Sequence, residues 1–304
     1  MRMHLLPMTA GVVSFLALAR HTDVSAAEDA EGPSGPPQPL AGSIRAGNAR
    51  GSAGAGGMSF VIYLPPGYDQ GDKRYPVLFQ LHGIGGDYRR FNNDLAVTHE
   101  RAVAQGSCPP LIIVWPSGGK ATMWSDAKDR HIESERRFFS VLLPHLDRDY
   151  RTLGTPAGRI ICGNSMGGYG CLLYATKHPD RFGCAVSWAA ALLDWPTLNK
   201  SKPSIAKEMF GDDEAYWQQY SPYAQLAKNA EAIRGALAIR MVIGAVDGLY
   251  PLNEKFRDQA KALGMDIDFA PVPGRGHGFI GLLEPEGANA FAFIGRRLKA
   301  LQAW

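Results

Sequence analysis

From residue 58 onward, short apolar runs alternate along the chain with longer runs in which apolar and polar positions follow a helical spacing. A short continuous apolar run is typical of a buried β-strand, and apolar positions three or four residues apart are typical of a helix. Strands are predicted at 59–64, 75–81, 111–115, 159–162, 183–187, 238–245 and 267–272, and helices at 135–146, 169–178 and 285–301. This alternation predicts an α/β fold with a doubly wound, mostly parallel sheet.

Two segments depart from the alternation. Residues 189–222 are rich in aromatic side chains and carry no strand pattern, which predicts a small helical insertion beside the carboxyl ends of the strands. Residues 28–57 are rich in Gly, Pro, Ser and Ala, a composition that packs no core, so a flexible linker is predicted there. The folded domain is therefore expected to span 58–304.

The first residues have the pattern of a secretory signal peptide. A short polar start precedes a mostly apolar run at 5–19, and small residues that suit cleavage follow at 17–19 and 25–27. We therefore expect a signal peptide at 1–27 and a secreted or periplasmic protein, with a disordered tail as the alternative. The apolar run is shorter than a membrane-spanning helix requires, so no span is expected in the mature chain.

Composition changes this picture little. Of 304 residues, 45% are hydrophobic and 20% charged, which is enough to build a full core. The net charge of +3 comes without a run of lysine or arginine, so no nucleic-acid surface is expected. The four cysteines show no metal-ligand spacing such as C-x-x-C, and sequence alone leaves open whether they form bridges or buried free thiols: Cys108, Cys162, Cys171 and Cys184.

The segment with the clearest chemistry is a G-x-S-x-G motif at 163–167, centred on Ser165. A predicted strand leads into it and a predicted helix leads out, which is the context of a nucleophile elbow. A side chain two residues before or after the serine would clash in so tight a turn, and Gly163 and Gly167 remove that clash. Ser165 is therefore the predicted nucleophile.

A serine hydroxyl needs a histidine base and a carboxylate that orients the base, in the chain order serine, acid, histidine. His277 lies in a glycine-rich loop after the last predicted strand, whereas His178 ends the helix of the elbow and points away. Asp247 follows the strand before that loop and is the predicted acid, with Asp194 as the alternative.

Acyl transfer also needs two backbone N–H groups that stabilise the oxyanion. The residue after the nucleophile, Met166, supplies one at the start of a helix. The glycine-rich loop at 82–86 follows an early strand, and Ile84 is the predicted second donor. His82 is predicted to brace this loop rather than to act as a base.

Three stretches together resemble the esterase D-like family: 63–68 (Tyr-Leu-Pro-Pro-Gly-Tyr), 75–83 ending in His-Gly, and the Gly-Asn-Ser-Met-Gly-Gly of the elbow. That family includes feruloyl and acetylxylan esterases of carbohydrate esterase family one, S-formylglutathione hydrolases, enterochelin esterases and mycolyltransferases. The resemblance implies an α/β-hydrolase fold, a Ser165–Asp247–His277 triad, oxyanion donors at Ile84 and Met166, and no cofactor. The chain differs from the S-formylglutathione hydrolases after His-Gly.

Aromatic residues near the strand ends bear on the substrate. Trp124 and Trp188 follow strand ends at the catalytic edge and are predicted to contact a flat aromatic or sugar substrate. The alternative is that these rings pack in the core. Trp195 is a further candidate for a substrate contact. The resemblance implies an exported esterase that acts on small-molecule or polysaccharide esters carrying feruloyl or acetyl groups. An acyltransferase, a peptidase of the same fold and a non-catalytic binding protein are the alternatives, and the sequence does not indicate an oligomeric state.

Overall fold

The computed structural model describes residues 39–51, 56–91 and 93–304. Among them, eight strands form one sheet in the order β1-β2-β4-β3-β5-β6-β7-β8. The strands are β1 Ser43–Arg50, β2 Gly57–Leu64, β3 Val77–Leu81, β4 Ile112–Pro116, β5 Arg159–Asn164, β6 Cys184–Trp188, β7 Ala238–Gly244 and β8 Asp268–Val272. β1 and β2 are antiparallel to their neighbours, and β3 to β8 are parallel. The predicted doubly wound, mostly parallel sheet is confirmed.

Helices cover both faces of the sheet. They are α1 Asn93–Ala104, α2 Ser134–Arg137, α3 Leu143–Asp149, α4 Met166–Lys177, α5 Trp195–Ser201, α6 Pro203–Phe210, α7 Glu214–Gln218, α8 Pro222–Lys228, α9 Ala230–Ile233, α10 Tyr250–Ala262 and α11 Phe279–Ala300. A π-helical turn at Phe138–Leu142 joins α2 to α3, and 3₁₀ turns lie at Tyr68–Gln70, Tyr88–Arg90 and Pro156–Gly158. None of the helices in the described part of the chain is long and apolar enough to cross a membrane.

The strands feed two cores because successive side chains of a strand point to opposite faces. Phe79 and Ile161 pack into the core that contains α4, α8 and α10. Leu78 and Ile160, their neighbours in sequence, pack into the core beneath α1 and α11. Strands that are buried on both faces appear in the sequence as continuous apolar runs, and for this reason their positions could be predicted.

The predicted linker at 28–57 is wrong over β1. Ser43 pairs with Leu64 at one end of this strand and Arg50 with Gly57 at the other, so 43–50 forms an edge of the sheet. Only Ala49 is buried in β1, because an edge strand is held by its backbone ladder and needs no apolar run. The predicted signal peptide at 1–27 lies outside the described residues.

Two helices begin earlier than predicted. α11 begins at Phe279 rather than at Pro285, and the proline is inside the helix. Its first turns bury Ile280, Leu282 and Leu283, and this packing outweighs the preference of proline for a first helical position. α4 begins at Met166, directly after the serine. The predicted helical insertion at 189–222 contains α5 to α7 and continues into α8 and α9.

Candidate active site

Ser165 lies in a strained turn between β5 and α4. Its backbone has φ 54° and ψ −117°, a conformation that costs free energy for a residue with a side chain. Two hydrogen bonds hold the turn. The Ser165 N–H donates to the Trp188 carbonyl oxygen at 2.9 Å, and the Tyr169 N–H donates to the Ser165 carbonyl oxygen at 3.0 Å. The strained conformation is thus held by β6 on one side and by the first turn of α4 on the other.

The two glycines of the motif are required by close backbone contacts. A Cβ on Gly163 would lie 2.1 Å from the carbonyl oxygen of Gly167, and a Cβ on Gly167 would lie 2.1 Å from that of Leu81. Both obstacles are main-chain atoms, so no side-chain rotation relieves them. The predicted reason for glycine at these positions agrees with this geometry.

Ser165, His277 and Asp247 form a continuous hydrogen-bonded chain. The distance from Ser165 Oγ to His277 Nε2 is 2.8 Å, and that from His277 Nδ1 to Asp247 Oδ2 is also 2.8 Å. A carboxylate can only accept, so Nδ1 carries the proton and donates to Asp247. Nε2 is then left as the acceptor for the Ser165 hydroxyl, which is the arrangement that a general base needs.

Two loops carry the acid and the histidine to this position. Asp247 follows β7, and its Oδ1 accepts from the Leu249 N–H at 2.9 Å, which leaves Oδ2 for His277. The Asp247 side chain is 3% exposed and that of His277 is 29% exposed. The loops are tied together, since the Val246 N–H donates to the Arg275 carbonyl oxygen at 3.1 Å.

Gly244, at the end of β7, was not singled out from the sequence. A Cβ there would lie 2.1 Å from the carbonyl oxygen of Arg275 and 2.3 Å from that of Gly276. The loop that carries His277 therefore crosses directly over this glycine. Its position near the end of a predicted buried strand, three residues before the predicted acid, was the one available signal.

His82 holds the loop that follows β3. Its Nε2 accepts from the Gly118 N–H at 3.1 Å, so the neutral ring carries its proton on Nδ1, which lies 2.9 Å from the Gly83 carbonyl oxygen. Burial lowers the pKa of His82, which favours this neutral form. The ring is half-buried and packs 4.9 Å from the Trp124 ring. These contacts agree with the predicted bracing of the loop.

The two predicted oxyanion donors belong to two segments beside Ser165, the start of α4 and the turn after β3. Met166 is the first residue of α4, where N–H groups have no acceptor within the helix. Ile84 lies in the turn that the Gly86 N–H closes on the Gly83 carbonyl oxygen at 3.1 Å. That turn approaches the serine closely, because a Cβ on Gly83 would lie 3.4 Å from Ser165 Cβ.

A family model described as "Putative esterase" matches residues 53–277, which is more than half of the chain. The chain belongs to this esterase family. The match runs from just before β2 to His277, so it includes every member of the hydrogen-bonded chain.

Several relatives of this family member are known. An esterase of Mycobacterium tuberculosis (strain ATCC 25618 / H37Rv) is 35% identical over 131 residues, which are 41% of this chain and 27% of the relative. The S-formylglutathione hydrolase of Bos taurus is 27% identical over 183 residues, 54% of this chain and 61% of that enzyme. The chain thus spans about a quarter of the first relative and less than two thirds of the second.

Solved structures share the fold of this family member. A ferulic acid esterase has a TM-score of 0.72 at 22% identity, over 84% of this chain and 98% of that one. An S-formylglutathione hydrolase from Agrobacterium tumefaciens has a TM-score of 0.66 at 19% identity, over 86% of this chain and 97% of that one. At such identities the likeness shows the α/β-hydrolase fold.

The predicted contact of Trp124 and Trp188 with substrate is corrected by their burial. Trp124 is 0% exposed and its indole N–H donates to the His82 carbonyl oxygen at 3.1 Å. Trp188 is 1% exposed and its indole N–H donates to Cys162 Sγ at 3.2 Å. Both rings are packed inside the protein and present no face to a ligand. Trp195, the further candidate, is 9% exposed.

The other polar candidates have structural partners elsewhere. Asp194 caps α5 by accepting from the Thr197 N–H at 3.1 Å, and His178 Nε2 lies 2.7 Å from Glu135 Oε1. The four cysteines are all buried and unpaired. Burial raises the pKa of Cys162, beside the elbow, to about 12, so this thiol stays protonated at neutral pH.

Proposed function

We propose that the protein is a serine carboxylic-ester hydrolase that works through an acyl-enzyme. The observation that carries the proposal is the hydrogen-bonded chain from Ser165 through His277 to Asp247, with both links at 2.8 Å. This is the arrangement of a nucleophile, a general base and a carboxylate that orients the base. Membership of an esterase family supports the same reaction.

In the proposed reaction, Ser165 Oγ attacks the ester carbonyl while His277 Nε2 takes the hydroxyl proton. The imidazolium that forms is stabilised by the buried Asp247 carboxylate. His277 then donates the proton to the leaving alcohol, and the acyl group stays on Ser165. Water next attacks the acyl-enzyme with His277 again as base, which releases the acid and restores the serine.

The backbone N–H groups of Ile84 and Met166 are proposed to stabilise the oxyanion of each tetrahedral intermediate. Removing one such donor typically costs about 3–4 kcal/mol of transition-state stabilisation. The support is that Ile84 lies in the turn after β3, which approaches the serine, and that Met166 is the first residue of α4. The proposed steps use only groups of the chain and a water molecule, so they require no cofactor.

The proposed substrate is an ester of a carbohydrate that carries feruloyl or acetyl groups. Support comes from the sequence resemblance and from the ferulic acid esterase that shares the fold. Export remains a prediction from residues 1–27 and is tested by locating the protein in fractionated cells and by sequencing its mature amino terminus.

The test is hydrolysis of p-nitrophenyl acetate and methyl ferulate by the purified protein beside a Ser165→Ala variant. We expect wild-type turnover of both esters and a loss on the order of 10⁴-fold or more in the variant. Matched circular dichroism spectra would show that the variant is folded. A folded wild type that cleaves neither ester would contradict the proposal. Products formed on an added sugar acceptor, or casein cleavage, would indicate the acyltransferase or the peptidase instead.

A further inference from the structure

A cleft of about 430 Å³ lies at the same edge of the sheet as Ser165. Its walls include the loop at 117–122, which follows β4, and the start of β2. β4 and β5 both run parallel to β3, so the carboxyl end of β4 is at the edge where β5 ends in the elbow. β4 lies two strands away from β5, which is roughly 10 Å at the usual strand spacing. A ligand whose ester lies at Ser165 can therefore reach the cleft.

Hydrogen bonds join the wall of the cleft to the turn that holds Ile84. The Gly85 N–H donates to the Lys120 carbonyl oxygen at 2.6 Å, and the Gly118 N–H donates to His82 Nε2 at 3.1 Å. The loop at 117–122, which lines the cleft, is thus hydrogen-bonded to the turn that holds the proposed oxyanion donor.

Arg137 brings a positive charge to the cleft, and this charge is shared electrostatically with the carboxylate of Glu133. Its neighbour Arg136 is paired, since Arg136 Nε donates to Glu133 Oε1 at 2.7 Å. Arg137 lines the cleft, and within the described residues its buried Nε atom has no hydrogen-bond acceptor. A planar guanidinium matches the two oxygens of a carboxylate in a bidentate pair.

The other charges indicate which anion suits the cleft. Lys120 and Glu208 also line it, so the three charged side chains sum to a single positive charge. That favours a monoanionic carboxylate over a dianionic phosphate. Glu208 also lines the cleft and can accept hydrogen bonds from hydroxyl groups of the ligand.

We propose that this cleft binds a carboxylate on the alcohol or thiol portion of the ester, through the guanidinium of Arg137, while the ester carbonyl lies at Ser165. The inference rests on the proposed esterase function and adds a substrate class to it: esters whose leaving group is acidic. Such a carboxylate belongs either to an acidic sugar or to a peptide-like thiol, and the cleft recognises the group that they share.

The test compares pairs of substrates that differ in the carboxylate. One pair is a mono-acetylated methyl glucuronoside and the equally acetylated methyl glucoside. The other is S-acetylglutathione and S-acetyl-N-acetylcysteamine. We expect kcat/KM about 10-fold or more higher for the acidic member of at least one pair, through a lower KM, because the ion pair forms in the ground state and the transition state alike. The pair that responds identifies the source of the carboxylate.

The variant Arg137→Gln should bring that ratio close to one, and Arg137→Lys should leave an intermediate ratio because it keeps the charge but loses the planar fork. Arg136→Gln is the matched control and should keep the wild-type ratio. Ratios near one for both pairs in the wild type would overturn the inference whether or not any variant folds, as would an unchanged ratio in a folded Arg137→Gln. Turnover of p-nitrophenyl acetate by the wild type separates these results from failure of the esterase function itself.

Discussion

Replacing Gly244 with alanine should misplace His277 without unfolding the protein. The new Cβ would lie 2.1 Å from the Arg275 carbonyl oxygen, whereas real Cβ contacts shorter than 3.0 Å essentially never occur. The loop must therefore retreat by about 0.9 Å to reach that limit, and by about 1.3 Å to reach ordinary contact at 3.4 Å. The obstacle is backbone, so the whole loop has to move rather than one side chain.

The expected cost follows from the distance between the histidine and the serine. His277 Nε2 lies 2.8 Å from Ser165 Oγ, and a displacement of this size takes the pair beyond a good hydrogen bond. A misplacement of about 1 Å can cost on the order of 100-fold in rate. We therefore expect kcat for p-nitrophenyl acetate to fall by about 100-fold with little change in KM, since the loop positions the base rather than the ester.

The assay measures kcat, KM and the rate of inactivation by phenylmethanesulfonyl fluoride, which also needs the base. Gly248→Ala, four residues after Gly244 in the segment that leads to α10, is the matched control, because a Cβ there meets nothing within 4 Å. Wild-type kcat in a folded Gly244→Ala variant would refute the reasoning. A fall in kcat matched by an equal fall for Gly248→Ala would also refute it.

Three further predictions concern single side chains. Asp247→Asn should lower kcat by about 10⁴-fold, because the residue that orients His277 loses its charge. Asp194→Asn should change kcat by no more than about twofold, because asparagine also caps a helix. Equal effects of the two variants would contradict the assignment of Asp247 as the acid. His82→Phe keeps the ring but leaves the buried Gly118 N–H without its acceptor, so urea unfolding should show a loss of about 1–3 kcal/mol, together with a lower kcat. Burial lowers the pKa of His99 to about 4 in the folded protein, whereas the pKa of an unfolded histidine is about 6.5. Between these two pH values the unfolded chain binds a proton that the folded protein does not. The contribution of His99 to the free energy of unfolding is thus complete above pH 6.5 and is lost as the pH falls, by about 2 kcal/mol at pH 5. Urea unfolding at pH 7 and pH 5 measures this loss, and a His99→Asn variant should lack it.

The positions of the three hydrogen-bonded residues could be predicted because strand ends constrain them. Parallel strands bring their carboxyl ends to one edge, so Ser165, Asp247 and His277, each just after a predicted strand, had to lie near one another. The two motif glycines were predictable because the G-x-S-x-G spacing around the serine marks them, even though the atom that Gly167 approaches belongs to Leu81 of β3. Gly244 was not, because no local motif marks it and the loop that crosses it lies about 30 residues further along the chain.

Side-chain direction is what the sequence left undetermined. Met123 and Trp124 both have positive φ, 52° and 55°, and the Trp124 ring lies inside the protein at 0% exposure. The ring fits there because Gly170 of α4 has no side chain, and a Cβ at that glycine would lie 2.6 Å from Trp124 Cβ. A strand-end position predicted the correct edge for this tryptophan but could not indicate which way its ring points.

The link between Ser165 and His277 spans 112 residues of sequence, and the strands that deliver the two residues have β6 and β7 between them. A chain in which only the amino-terminal strands have paired contains the elbow but has no base beside it. Turnover can thus report refolding: after dilution from denaturant, recovery of ester hydrolysis should coincide with docking of β8 and α11, after most of the helical signal has returned. In a chain released slowly from a ribosome, the same dependence keeps the nucleophile inert until the last strand is in place.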